Sequence, residues 1–279
     1  MESLVQAAQR DDHKVVALPP ILPVLDKRNV RFERGQLAMV VAPPNGMKSA
    51  LSLWYALQAK VPTYYFSADT DRRTTEYRAV ANKTQYTFDE VKGMVGTSAE
   101  AIIADARAEI TEDDMVFCFD PALSLRDIDL EILAYEEVFG EGHLALVIID
   151  NLLNMNTGDA GDFAALIDSL SALHSLARAK DVAVIVLHHV NVRDGQRAHD
   201  YPHPMNAIRG RVAQYPEMIL SLASLPEESQ LRVACVKHRH ATPSVSGEDF
   251  ATIYVDPARM TFYDGVAELK AAEKMREYQ

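Results

Sequence analysis

"LAMVVAPPNGMKSALSLWYALQ", residues 37–58, decides the fold. An apolar run passes through a Pro/Asn/Gly turn into a helix-like pattern. Its centre, Ala42-Pro43-Pro44-Asn45-Gly46-Met47-Lys48-Ser49, approximates G-x-x-x-x-G-K-[S/T], the strand–loop–helix pattern that cradles polyphosphate. Lys48 and Ser49 stand where that pattern needs them. Ala42 replaces the first glycine. Met47 occupies the second glycine's place, and Gly46 has moved one position upstream. A lysine and a hydroxyl at a helix N-terminus suit polyphosphate. Backbone N–H groups and the helix dipole favour the anion, the ammonium reaches the β and γ oxygens, and the hydroxyl ligates Mg²⁺. Pro44, Asn45, Gly46, Met47, Lys48 and Ser49 are therefore the candidate nucleotide-binding residues. A glycine before the lysine supplies positive φ and close backbone approach. Methionine at such a φ costs about 1–2 kcal/mol. Either Gly46 absorbs the turn through a shifted backbone, or the site binds weakly.

Outward from the loop, short apolar runs alternate with helical patterns. Strands are expected at 37–42, 63–67, 115–119, 145–150, 182–187, 218–221, 232–236 and 252–255. Several are nearly continuous in apolar character, as strands covered on both faces are. Helices are expected at 49–58, 101–109, 127–139 and 163–178, with a further helix in the C-terminal tail. This alternation predicts an α/β fold with a mostly parallel sheet flanked by helices. Two long loops interrupt it, 154–162 ("NMNTGDAGD") and 191–206 ("NVRDGQRAHDYPHPMN"). Loops of that length inside an α/β domain usually carry function or are disordered. The expected organisation is a lead-in over 1–30, one domain over 31–264 and a helical tail over 265–279.

The 279 residues are 48% hydrophobic and carry a net charge of −12, which argues against coating DNA with the whole surface but not against a locally basic channel. Cys118 and Cys235 lie in apolar runs and read as buried core thiols of a reducing cytosol, not a disulfide or zinc site. No apolar run approaches about 18 residues, so no membrane span is expected. The start lacks the basic and apolar regions of a signal peptide, which points to the cytoplasm.

Four further stretches carry chemistry. "LALVIID" ends at Asp150, a strand-end carboxylate suited to Mg²⁺, at the place where open sheets bind ligands. "YYFSADTDRR" places Asp69 and Asp71 after a strand; a carboxylate there polarises an attacking water, or simply forms a solvated turn. "VIVLHHVN" puts His188 and His189 at a strand end, suited to sensing a γ-phosphate or contacting DNA. "VACVKHRHATP" carries Lys237 and Arg239, two apart and so on one side of a continuing strand, a geometry for two cations aimed at a phosphate.

In this order the five elements resemble the RecA-like ATPase domain of the DnaB replicative helicase family, over residues 23–263, and most closely small RecA/DnaB-like proteins of bacteriophages with actinobacterial hosts. "VLDKRNVRFERGQLAMVVAPPNGMKSA" is similar to the family's lead-in and Walker A, and "YYFSAD" to its second strand, with Asp69 in place of glutamate. "LVIIDNLLNM" resembles Walker B and the first DNA loop. "VLHHVN" resembles the sensor, with His189 in register. "PHPMNAIRGRVAQYPEMILSL" resembles the region after the second DNA loop, and "CVKHRH" the Lys-x-Arg pair.

The resemblance implies an ATP hydrolase of phage replication or recombination, working as a homo-oligomeric ring or filament with a hexamer favoured. Lys48 and Ser49 would bind phosphate and Mg²⁺, and Asp150 would complete the metal shell. Asp69 would be the base, His189 the sensor, and Lys237 and Arg239 would act on a neighbour's nucleotide. Single-stranded or branched DNA would meet the loops after the Walker B and sensor strands. Residues 188–211 hold Arg193, Arg197, Arg209 and Arg211 against Asp194 and Asp200, a locally basic segment in an acidic chain. Thirty lead-in residues are too few to supply the family's N-terminal domain.

Two other functions use the same residues. A metal-dependent, structure-specific DNA nuclease would gather Asp69, Asp71 and Asp150, with His188 or His189, around Mg²⁺ or Mn²⁺. A regulatory subunit would keep the fold with an impaired nucleotide loop.

Overall fold

Strand β1, Leu37–Ala42, is buried at all six residues, and the sheet is built outward from it. The structure is a computed structural model that describes residues 16–112, 114–152, 162–190, 200–208 and 210–276; of 162, 163, 210 and 211 it describes the backbone alone. The strands that follow are β2 (Thr63–Ser67), β3 (Met115–Cys118), β4 (Leu146–Asp150), β5 (Ala183–His189), β6 (Met218–Leu225), β7 (Gln230–His238), β8 (Ala251–Asp256) and β9 (Thr261–Tyr263). They form one sheet in the order β3-β2-β4-β5-β1-β6-β7-β8-β9. From β3 to β6 all pairings are parallel, and β7, β8 and β9 extend the sheet antiparallel. The mostly parallel α/β sheet expected from the alternation of runs is thus the one that forms.

Strand periodicity divides the core into two layers. Ala38, Val40 and Ala42 of β1 face the first, with Tyr65, Leu146, Ile148, Ile185 and Leu187. Helix α1 (Lys48–Ala59) covers that layer, packed by Leu51, Trp54 and Tyr55, together with Leu18, Leu22, Leu25 and Phe32. Residues from Leu18 onward, the second half of the lead-in, are therefore part of the packed core. Leu37, Met39 and Val41 face the second layer, with Val147, Ile149, Val184 and Val186. Helices α5 (Leu125–Phe139) and α6 (Asp162–Lys180) cover it.

Among the described residues, one helical turn at Pro23–Asp26 and two longer helices escape the sequence reading, α2 (Arg72–Thr84) and α3 (Phe88–Met94). Helix α2 is mostly polar and rich in threonine, a weak helix former. Its ends and packing hold it. Asp71 caps it by accepting from the Thr74 N–H at 3.1 Å and the Thr74 hydroxyl at 2.6 Å. Val80 and Ala81 then pack with Val91 of α3 and with Ile103 and Ala106 of α4 (Glu100–Glu112) in a separate small core. A capping box at Thr87 and Glu90 starts α3. The three-residue β9 is also absent from the sequence expectations, and the C-terminal helix α7 spans Val266–Arg276. Cys118 and Cys235 are free but only half-buried at the layer edges, so the expectation of fully buried thiols is corrected. Among the described residues no helix is long and apolar enough to cross a membrane.

Candidate functional site

The carboxyl ends of β1, β2, β4 and β5 lie in register, with Ala42 opposite His189 and Ser67 opposite Asp150. Tyr65, Asp150 and His189 all project to the α1 layer, because each is an even number of residues from an apolar neighbour on that face. His188 alternates to the opposite layer. It is buried, its Nδ1 has no hydrogen-bond partner among the described residues, and burial lowers its pKa to about 4. It therefore does not join a metal cluster with Asp150.

The loop between β1 and α1 shows which residue makes the turn. Met47 itself takes the left-handed conformation, φ 62° and ψ 18°, and Asn45 also has positive φ. Gly46 does not absorb the turn. It is required for space, because a Cβ there would stand 2.5 Å from Ala42 Cβ and 2.9 Å from the Pro43 carbonyl oxygen. The left-handed bend and the close approach that the motif assigns to one glycine are thus split between adjacent residues.

Lys48, only 5% exposed, donates from Nζ to the carbonyls of Ala42 (3.2 Å) and Pro43 (3.3 Å) and to His189 Nδ1 (3.1 Å). Desolvation pulls its pKa down to about 8, against the opposing pull of Asp150 and Asp69. Burial likewise lowers His189, helped by the Lys48 charge. Asp150 is 1% exposed, and burial raises its pKa above the usual carboxylate range. Its Oδ1 accepts from the Ser49 hydroxyl and its Oδ2 from the Tyr65 hydroxyl, both at 3.0 Å. The peptide bond after it, Asp150–Asn151, is cis. Asp69 is exposed, and its backbone N–H bonds the Asp150 carbonyl at 3.1 Å.

A hydroxyl and a carboxylate 3.0 Å apart make a hard oxygen donor pair that fits one Mg²⁺ completed by phosphate and water. A two-metal nuclease centre does not fit. Asp71 is committed to capping α2, and no group of three or more His, Cys, Asp or Glu among the described residues could hold a metal ion.

Lys48, Ser49, Asp69 and His189 line a cavity of about 900 Å³ with Pro44, Asn45 and Met47. Its far wall was not anticipated: Arg78 of α2, Phe88 of α3, and Pro257 and Met260 from the β8–β9 turn. The wall is fixed by buried Asn82, whose Nδ2 donates to the Met260 carbonyl at 3.0 Å, and by Arg259 Nε, which donates to the Gln85 carbonyl at 2.8 Å. Single-sequence motifs give no sign of it, since its members belong to distant segments.

Lys237 and Arg239 lie elsewhere. Lys237 Nζ donates to the carbonyls of Ala213 (2.7 Å) and Gln214 (3.0 Å), and Arg239 donates to Glu217 at 3.3 Å. Both project toward residues 213–217, as their spacing predicts. That segment joins the sheet at the start of β1, where Glu217 bonds Leu37. The length of β1, roughly 17 Å, separates this end from the phosphate loop. Within one chain the two groups are not brought together. Arg193, Arg197 and Arg209 lie outside the described residues, as do most of the two long loops; Arg211 sits in a 3₁₀ turn, its side chain not described.

The family model of the DnaB-like helicase C-terminal domain matches residues 18–241, most of the chain. The chain belongs to the DnaB-like helicase C-terminal domain family. This makes it a helicase-type ATPase domain, the coarse reading that the motif order gave. Among similar proteins, the "Gene 65 protein" of Mycobacterium phage L5 is 36% identical over 245 residues, covering 85% of this chain and 88% of the relative. The "Gene 65 protein" of Mycobacterium phage D29 is 34% identical over 226 residues, covering 78% and 94%. Among solved structures, a DnaB-like replicative helicase superposes with a TM-score of 0.76 at 16% identity, covering 93% of this chain and 64% of that one, a likeness of fold. The RadB recombinase superposes more loosely, with a TM-score of 0.56 at 17% identity, covering 88% of this chain and 97% of that one. The loop between β1 and α1, with methionine before its lysine, thus belongs to a RecA-like core.

Proposed function

We propose that this chain is a DNA-dependent ATP hydrolase, a helicase-type or recombination motor of phage DNA metabolism that works as a homo-oligomer in the host cytoplasm, with a hexameric ring favoured. The observation that carries this reading is the convergence of Lys48, Ser49, Asp69 and His189 on one cavity at the carboxyl ends of the parallel strands, with buried Asp150 bonded to the Ser49 hydroxyl behind them. Lys48 exchanges its two loop carbonyls for β and γ oxygens. Ser49 and Asp150 would hold Mg²⁺, which when bound would supply the positive charge that phosphoryl transfer needs. Asp69 polarises the attacking water, and His189 reads the γ-phosphate. The base rests against Phe88, Pro257 and Met260, with Arg78 at its edge. Lys237 and Arg239, too far from their own loop, serve the neighbouring subunit's nucleotide. Arg193, Arg197, Arg209 and Arg211 contact single-stranded or forked DNA.

The test is hydrolysis of ATP with and without single-stranded DNA, by wild type, Lys48→Ala and Asp150→Ala. Stimulated hydrolysis lost in both variants supports the reading. Inactive Arg239→Ala and Lys48→Ala subunits, mixed and shown to co-assemble, should partly restore activity. Nucleotide binding without hydrolysis would instead make the chain a regulatory subunit.

A further inference from the structure

Glu217 precedes β6 and is only 3% exposed. It takes no part in the nucleotide cavity, yet it is the meeting point of three elements. Its backbone N–H donates to the Leu37 carbonyl at 2.8 Å, and its Oε2 accepts the Leu37 N–H at 3.0 Å. Oε1 accepts from His174 Nε2 of α6 at 2.8 Å and from Arg239 NH1 at 3.3 Å, with Arg178 NH2 at 3.8 Å. The Glu217 carbonyl also accepts the Arg239 backbone N–H at 2.9 Å. Arg239 is thus held twice by one residue, once by main chain and once by its guanidinium.

A buried carboxylate is tolerated only when it is paired and hydrogen-bonded. That requirement explains His174 and the Leu37 N–H. It does not require Arg239, whose side chain is nearly half exposed and would otherwise be a solvated arginine at a strand end. An arginine that stabilises transferring phosphate contributes most when its position is set before the substrate arrives. The carboxylate sets it, and references it to the first residue of β1 and to the middle of α6 rather than to a loop.

We infer that Glu217 is a positioning residue, which aims Arg239 at the nucleotide of the neighbouring subunit. This rests on the proposed role of Arg239 in trans. The variants are Glu217→Gln, Glu217→Asp, Arg239→Ala and Glu217→Gln/Arg239→Ala, all in the full chain as its oligomer. Each is measured for melting temperature, ATPase kcat and KM. Glu217→Gln should lower kcat about tenfold or more, a fraction of what an arginine finger supplies, with KM changed less than about twofold because the subunit's own loop is untouched. The double variant should be no slower than Arg239→Ala alone, since both changes remove one function. Glu217→Asp keeps the charge but withdraws it by one methylene from Arg239, Leu37 and His174; it should stay folded, melting a few degrees below wild type, and still lose kcat, which covers the case of a poorly folding Gln variant. Equal kcat in wild type and both Glu217 variants overturns the inference alone. So does a double variant slower than Arg239→Ala. A wild-type oligomer that hydrolyses no ATP overturns the functional reading and this inference with it.

Discussion

Replacing Met47 with glycine asks whether the natural loop is impaired. Met47 sits at φ 62° and ψ 18°, a conformation that costs a non-glycine residue about 1–2 kcal/mol. Glycine would remove that cost. It would also add freedom to the unfolded chain, about 0.4–1 kcal/mol, and delete a side chain half-buried against the α1 layer. Full burial of a methionine is worth about 1.5–3 kcal/mol, so partial burial is worth less. These contributions nearly cancel, and the melting temperature of Met47→Gly should stay within a few degrees of wild type. Affinity obeys a different rule. The left-handed turn is already formed before any ligand binds, and a ligand's affinity reflects only what differs between its free and bound partners. Titration calorimetry with a non-hydrolysable ATP analogue and Mg²⁺ should give a Kd within about threefold of wild type, under about 0.7 kcal/mol. Gly46→Ala should behave oppositely. Its Cβ would meet Ala42 Cβ at 2.5 Å and the Pro43 oxygen at 2.9 Å, neither of which can swing away, and binding should weaken tenfold or more. A Met47→Gly protein that binds ten times more tightly, or a Gly46→Ala protein that binds like wild type, would refute this account of the loop.

Three other outcomes are expected. Because burial holds Lys48 near 8, the free site loses its ammonium as pH rises through 8, whereas bound polyphosphate demands the charge. Binding then takes up a proton, and Kd should weaken by up to about tenfold per unit above pH 8, a slope that calorimetry should find absent in Lys48→Ala; a flat wild-type profile contradicts the buried, loop-bound lysine. Phe88→Ala should weaken ATP-analogue binding by about 1–3 kcal/mol, on the scale of base–aromatic stacking, while leaving tripolyphosphate affinity unchanged; equal losses for both ligands would remove Phe88 from the base wall. Tyr65→Phe deprives the buried Asp150 carboxylate of one donor, a hydrogen bond to a charged group worth about 1.5–3 kcal/mol, and should lower the melting temperature by several degrees; no change would mean that solvent already serves that oxygen.

The parallel strands were legible because burial on both faces writes a continuous apolar run, as in "LAMVVA" and "LVIID", and their bounds fall within a residue or two of expectation except in β6, which runs four residues past the expected 221. Helices α2 and α3 were not, because capping at Asp71 and Thr87 and packing against α4 hold them more than an apolar stripe of their own does. The site divides along the same line. Lys48, Ser49, Asp150 and His189 stand at the ends of legible strands, and strict alternation along 183–189 already separates His189 from His188 without coordinates. Tyr65 could have been found the same way, two residues before the end of β2 on the face that Asp150 shares. Arg78, Phe88, Met260 and Glu217 could not, since each matters through a partner far along the chain. The loop itself shows why a motif string understates a site. The string asks for glycine before lysine, and two separate demands lie behind that letter: a left-handed turn and room for close backbone approach. In this chain Gly46 meets the second and Met47 bears the first. The strain at Met47 persists because β1 and α1, both buried, leave the connecting turn no other path.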